Sequence, residues 1–294
     1  MRHILRHLIE KRPVSSTPAP TAEFLSPMIK IATWNVNSIN KRLPNVLEWI
    51  REASPHVLLL QELKTVAEKF PYLEFEELGY HVEVVGQKSY NGVALISKAP
   101  ITDVLRELPG DSEDDHARYV EGTTFGLRVA SIYLPNGNNN YNKTDSVKFP
   151  YKLKWMERLN AHAAALLKTE QPTVLAGDFN LIPTDDDVFD PRRFDGSAHT
   201  HAASRNRYRA LEHLGYNEAW RSLNNEAHVY SYWDYQKEAY QHNNGIRIDL
   251  MMLSPQAADL LMASAIDKAP RGKESPSDHT PVYCEFDIPQ KAAA

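Results

Sequence analysis

A mixed α/β domain over residues 28–288 is the fold class this sequence predicts, and three observations predict it. Apolar, strand-like runs occur in consecutive pairs that read as hairpins. Similar runs also follow directly on long segments of helical spacing, so the sheet is mixed and not purely parallel. Apolar residues make up 42% of the chain and charged residues 24%, the balance of a globular protein that buries a sizeable core.

The elements follow in order from Met28. "MIKIATWNV" alternates as a strand, and "RLPNVLEWIREASP" carries Leu43, Val46, Leu47 and Ile50 at helical spacing before Pro55 stops it. "HVLLLQE" is an apolar strand ending in polar residues, and "YHVEVVG" and "NGVALISK" are strands on either side of a loop. "YVEGTTFGLRVASIYLPNG" reads as a hairpin and "FPYKLKWMERLNAHAAALLKTE" as a long helix. "TVLAGDFN" is a short buried strand closed by Gly177, "RYRALEHLGYNEAWRSL" is helical, "IRIDLMMLS" is a strand, and "SPSDHTPVYCEFDI" is a loop feeding a last strand. The acid-rich stretches 111–116 and 185–190 read as solvated loops. Residues 1–27 are basic, then rich in Pro, Ser and Thr. They read as a disordered extension, with a targeting peptide as the alternative, and 289–294 as a tail.

The totals exclude some classes. A single cysteine, Cys284, rules out an internal disulfide framework and suits a reducing compartment. No apolar run approaches the roughly 18–20 residues of a membrane span. Net charge is −5, which weighs against a protein that coats DNA and leaves room for an enzyme whose cleft is filled by metal.

Polar residues recur where strands end: Asn35 and Asn37, Gln61 and Glu62, Tyr133 and Asn136, Asp178 and Asn180, and Asp278 with His279, while Asp249 lies inside an apolar strand. Each alone is ordinary turn chemistry, although a buried strand carboxylate needs a partner. Together, at one rim of a sheet, they make an oxygen-rich pocket without cysteine ligands. Such a pocket suits Mg²⁺, with Mn²⁺ as the alternative, better than zinc. The matching chemistry is attack of water on a phosphoester, with His279 donating to a phosphate oxygen.

"WNVNSINKRL", "LLLQELK", "NGVALIS", "YLPNG", "AGDFN", "RIDLMMLS" and "SDHTPV" stand in the order found in the exonuclease III family of the endonuclease/exonuclease/phosphatase superfamily, and the chain resembles that family from about residue 28 to 288. "GDFN" with "SDH" marks the superfamily; "WNVNSINKRL", "YWDY" and "RIDLMMLS" point to the exonuclease III branch. The resemblance implies a DNase I-like four-layer α/β/β/α sandwich of two packed mixed β-sheets flanked by helices, forming one catalytic domain. It implies a Mg²⁺-dependent DNA-repair phosphodiesterase that incises 5′ to abasic sites and trims 3′ ends of duplex DNA. A monomer is expected, with no membrane partner, cytoplasmic at the bacterial nucleoid; organellar targeting by residues 1–27 is the alternative.

In that resemblance Glu62 is the main Mg²⁺ ligand, helped by Asn35 or Asn37, and Asp278 lies near the leaving oxygen or a second metal. Asn37 stands where some relatives have Asp, a departure that bears on the metal site. Asp178 deprotonates the attacking water, Asn180 holds that water or a phosphate oxygen, and His279, oriented by Asp249, contacts the scissile phosphate. Tyr133 hydrogen-bonds the phosphate with help from Asn136. Tyr232, Trp233, Ile246 and Ile248 are the expected walls of a slot for an extruded abasic sugar. Arg118, Lys148, Lys152 and Arg247 are the expected backbone contacts. The competing readings are a superfamily phosphatase or phosphodiesterase acting on a small phosphoester, and an inactive DNA-binding relative.

Overall fold

The computed structural model describes residues 28–288, so the readings of 1–27 and 289–294 lie outside the described residues. β1 (Met28–Asn35) runs through α1 (Ile39–Ala53) into β2 (Val57–Gln61). A short α2 (Tyr72–Glu76) precedes β3 (His81–Val85), β4 (Val93–Ser97) and β5 (Thr102–Leu105). β6 (Tyr119–Thr124) turns into β7 (Leu127–Tyr133), and α3 (Lys148–Leu167) leads to β8 (Thr173–Asp178). Then come α4 (Ala202–His213), β9 (Asn217–Glu218), α5 (Ala219–Leu223), β10 (Asp249–Leu253), α6 (Pro255–Ala258), β11 (Leu261–Ile266) and β12 (Val282–Asp287).

Two six-stranded mixed sheets result, in the orders β11-β12-β1-β2-β4-β3 and β5-β6-β7-β8-β10-β9. Each contains one parallel pair joined by a helical crossover, β1 with β2 through α1 and β7 with β8 through α3; the other pairs are antiparallel. The β6–β7 hairpin turns on Phe125 and Gly126, both at positive φ, as a two-residue loop requires.

Period-two alternation sorts the strand residues into layers. Ile29, Ile31, Val57, Leu59, Val129, Val174, Ala176, Met251 and Leu253 face the seam between the sheets. Ala32, Trp34, Leu58 and Leu60 face α1, where Val46, Trp49 and Ile50 cover them. Ile132, Leu175, Leu250 and Met252 face Trp155, Met156 and Leu159 of α3 and Tyr208 and Leu211 of α4. The expected four-layer sandwich is therefore present.

Some expectations are corrected. The helix read over 207–223 breaks at Gly215, which has φ 115°, and the chain makes the two-residue strand β9 before α5. Asp249 is the first residue of β10 and does not lie in a strand interior. Stretch 185–190 is not simply solvated: Asp187 is fully buried. β5 and β11 were not read from the sequence; their patterns are exposed or half-buried, so they lack a clean apolar alternation.

Gly177 shows how tightly β7 and β8 approach. It has φ 153°, and a Cβ there would lie 1.9 Å from the Ile132 carbonyl oxygen. Gly177→Ala is expected to cost about 3 kcal/mol or more, because backbone must move; urea unfolding measures it, and an unchanged midpoint would contradict the packing described.

Candidate active site

The alternation that builds the core also builds the site. Continued to the strand ends, the seam-facing set of β1, β7, β8 and β10 becomes Asn35, Tyr133, Asp178 and Asp249. Register sets three of them abreast, since Asp178 pairs with Tyr133 on one side and Asp249 on the other. A polar layer separates them from the apolar seam: Gln61 Nε2 donates to Thr33 Oγ1 at 3.0 Å and to Ser131 Oγ at 3.0 Å.

Glu62 arrives differently. Strand alternation alone would send it toward the α1 side with Leu58 and Leu60, but its backbone has φ 53°, a left-handed turn uncommon outside glycine. The turn swings its carboxylate back to the seam, where Asn35 Nδ2 donates to Oε1 at 3.0 Å and the Tyr133 hydroxyl donates to the same atom at 2.8 Å. Asn35 Nδ2 also donates to Asp178 Oδ2 at 2.9 Å, so one amide ties the two carboxylates together. The Lys64 ammonium lies 2.7 Å from Glu62 Oε2 and 2.5 Å from Asn37 Oδ1. Burial works to raise the Glu62 pKa, but Lys64 and Asn35 outweigh it and hold the carboxyl below its usual range.

Asp178 is 1% exposed, and burial pushes its pKa up to about 7, with Asp249 and Glu62 adding to the rise against the pull of His279. Its oxygens accept from Asn35, from the Asn180 backbone N–H at 2.8 Å and from Asn180 Nδ2 at 3.3 Å. His279 Nδ1 lies 2.9 Å from Asp249 Oδ2, and Nε2 lies 3.7 Å from Asp178 Oδ2. Burial works to lower the His279 pKa, but Asp249 and Asp178 raise it to about 10, so the imidazolium is favoured. Ser231 Oγ donates to Asp249 Oδ2 at 2.6 Å and Trp34 Nε1 to the His279 carbonyl at 3.1 Å, fixing the pair from behind.

These groups open on a cleft of about 510 Å³, lined by Glu62, Tyr133, Asn136, Asp178, Asn180, Tyr232, Ile246, Ile248, Asp278 and His279, with Phe189, Phe194 and His199 on its wall. Glu62, Tyr133 and Asn136 also line an adjoining groove with Lys64, Tyr90, His116, Arg118 and Lys148. Arg118 sits there with its guanidinium over the Tyr133 ring, 4.8 Å from the centroid.

Three expected contacts are overturned by burial. Lys152 is fully buried, and its ammonium donates to the carbonyls of Asn180 at 2.6 Å and Asn136 at 3.2 Å, so it ties two site loops and does not face DNA. Burial lowers its pKa to about 7. Arg247, 1% exposed, is held by Asp187 at 2.8 Å and Glu218 at 2.9 Å behind the Ile246–Ile248 wall. Trp233 is fully buried, edge-on to Tyr230 and Tyr240, and packs the core under the slot.

Amide side chains of the site are also tied to their neighbours. Asn180 lines the cleft, its amide donating to the Leu134 carbonyl and to Asp178 and its oxygen accepting from Asn136, which helps hold Asp178 in place. Asn35 presents its amide nitrogen to Glu62 while its oxygen accepts from the Asn37 N–H, so it orients the carboxylate. Asn37 Nδ2 donates to Asp278 Oδ1 at 3.0 Å.

Sequence reasoning missed Lys64, Ser231 and His199. Lys64, two residues after Glu62, was legible from its spacing. His199 carried no signal: it is buried between Asn136, Asn138 and Asn180, and burial lowers its pKa to about 3, leaving it neutral.

The model of the Endonuclease/Exonuclease/phosphatase family matches residues 32–279. The exodeoxyribonuclease III of Haemophilus influenzae is 34% identical over 270 residues, covering 88% of this chain and 100% of that protein. The chain belongs to this family, in its exonuclease III branch. Among solved structures, an AP endonuclease from Archaeoglobus fulgidus superposes with TM-score 0.83 at 34% identity, over 88% of this chain and 100% of that one. The 3′ phosphatase NExo from Neisseria, bound to a product DNA hairpin, superposes with TM-score 0.84 at 37% identity, over 88% of this chain and 99% of that one.

The exonuclease III branch frames the metal question. Among the described residues, no group of three His, Cys, Asp or Glu side chains is placed to hold a metal unaided. The carboxylates of Glu62 and Asp278 on the cleft suit Mg²⁺, which takes one or two protein carboxylates and completes its shell with water and substrate phosphate. The Lys64 ammonium, gripped by oxygens of Glu62 and Asn37, marks where the site stabilises positive charge. The residues therefore fit a hard cation at Glu62, with Asp278 on the same cleft.

Trp233→Ala is expected to lower stability by about 3–5 kcal/mol, as loss of a buried indole does. Guanidinium unfolding reads this, and an unchanged midpoint with loss on one DNA substrate only would return Trp233 to the substrate wall.

Proposed function

We propose that this protein is a divalent-metal-dependent DNA-repair phosphodiesterase that cleaves 5′ to abasic sites and removes nucleotides or blocking groups from 3′ ends of duplex DNA. One observation carries the reading: Asp178 and the Asp249–His279 pair meet at one end of the cleft, with Glu62 tied to Asp178 through Asn35. The activities for which its relatives are named, exodeoxyribonuclease III, AP endonuclease and 3′ phosphatase, support it.

The chemistry follows from the side chains. Asp178, raised toward neutrality by burial, takes the proton of a water whose oxygen bonds to phosphorus. The P–O bond to the leaving nucleotide oxygen breaks, and that oxygen takes a proton from solvent water and departs as a hydroxyl. His279, held as an imidazolium by Asp249, donates to the phosphoryl oxygens as charge builds on them. Asn180 and Lys152 fix the loops so that the water approaches in line, and such positioning contributes several kcal/mol. Glu62, with Asp278 and Asn37 beside it, would hold Mg²⁺, which when bound supplies charge neutralisation and substrate orientation. Arg118 and Lys148 in the adjoining groove suit the flanking backbone, and the Tyr232, Ile246 and Ile248 wall suits a sugar lacking its base.

Asp178→Asn is expected to reduce turnover on abasic duplex about a thousandfold or more while retaining DNA affinity, comparable to loss of other general bases with their alignment. Gel-shift and single-turnover assays separate the two, and near-normal turnover removes Asp178 from the proton transfer. Glu62→Ala is expected to shift the Mg²⁺ activation curve to higher concentration by about tenfold or more. A superimposable titration would place the cation elsewhere.

A further inference from the structure

The loop 138–144 stands on the cleft wall, with Asn139, Asn140 and Asn142 lining the cavity. It is a built element. Asn138 bridges to Thr144, and the Asn138 amide donates to Ser197 Oγ at 3.2 Å and to Asn142 Oδ1 at 3.0 Å. Asn139 Oδ1 accepts from the backbone N–H of Tyr141 at 2.9 Å and of Lys143 at 3.2 Å, which turns the chain sharply at its tip. Lys143 is tied to the Asp195 carbonyl across the loop's base.

At that tip Tyr141 is 85% exposed, more than any other large apolar or aromatic side chain among the described residues. A lone exposed aromatic is ordinary on a surface. This one differs in its placement: both chain neighbours line the catalytic cleft, and the hydrogen bonds beneath it hold the loop in one shape. The rings of Phe189, Phe194 and Tyr232 are half-buried in the cleft wall, and Tyr90 lies in the adjoining groove, so Tyr141 is the most exposed ring beside the cleft. Every nucleobase presents a π face, so stacking on an aromatic ring gives affinity without reading sequence.

We propose that Tyr141 is a base-stacking residue, packing its ring on a nucleobase next to the cleaved phosphodiester. This rests on DNA being the substrate. The ring makes no contact with the reacting atoms, so its contribution falls on binding.

The test compares Tyr141→Ala and Tyr141→Phe on a duplex with a recessed 3′ end and 2-aminopurine near that end. Because the side chain is exposed, neither variant removes packing from the core. Tyr141→Ala is expected to raise KM about tenfold with kcat preserved, and to lose the change in 2-aminopurine emission on binding; Tyr141→Phe keeps both within about twofold. A wild-type KM and emission change in Tyr141→Ala overturn the stacking role, as does a loss confined to kcat. If the unaltered protein neither binds nor cleaves DNA, the substrate reading fails with it, and that outcome is distinct from cleavage indifferent to Tyr141.

Discussion

The carboxamide of Asn35 is the interaction on which the active site depends. It belongs to the first sheet, as does the turn that carries Glu62, while Asp178 closes β8 of the second. By donating to both carboxylates, Asn35 locks the two sheets together where the apolar seam ends. A slip of one residue in β1 would turn this amide toward α1 and leave two buried carboxylates without their shared donor.

Burying so much charge requires compensation from several sides. Asp249 has His279 and Ser231, Glu62 has Lys64 and Tyr133, and Asp178 has Asn35, Asn180 and the more distant His279. The outcome is a division of labour set by environment. Glu62 is held ionised below the usual carboxylate range, Asp178 is lifted toward neutrality, and His279 stays cationic. The buried Lys152 contributes through two carbonyls at the exits of β7 and β8, so the loops that position Asp178 share one anchor.

Much of this was legible in the sequence because one rule, period-two alternation, governs both the core and the site. Asn35, Tyr133, Asp178 and Asp249 continue the pattern of buried apolar residues with polar ones, and that break in hydrophobicity at strand ends is visible in the chain itself. What was not legible came from long-range packing. A helical lysine such as Lys152 reads as surface until the fold shows α3 turned inward at that position. Arg247 and Trp233 sit beside real slot residues, so proximity in sequence suggested a contact that burial denies. Lys64 and His199 owe their roles to partners brought together by the fold, and the left-handed turn at Glu62 has no signature in a residue that rarely adopts it. The edge strands β5 and β11 lacked the one-sided burial from which strands are recognised.

The proposed cation site lies where the two sheets meet, at the Glu62 carboxylate that also pairs with the Lys64 ammonium. A crystal structure of the protein soaked in Mn²⁺, read by anomalous diffraction, tests this most directly. The expected result is a manganese peak in bonding contact with the Glu62 carboxylate. A strong peak elsewhere in the cleft, with the Lys64–Glu62 pair intact, would contradict it.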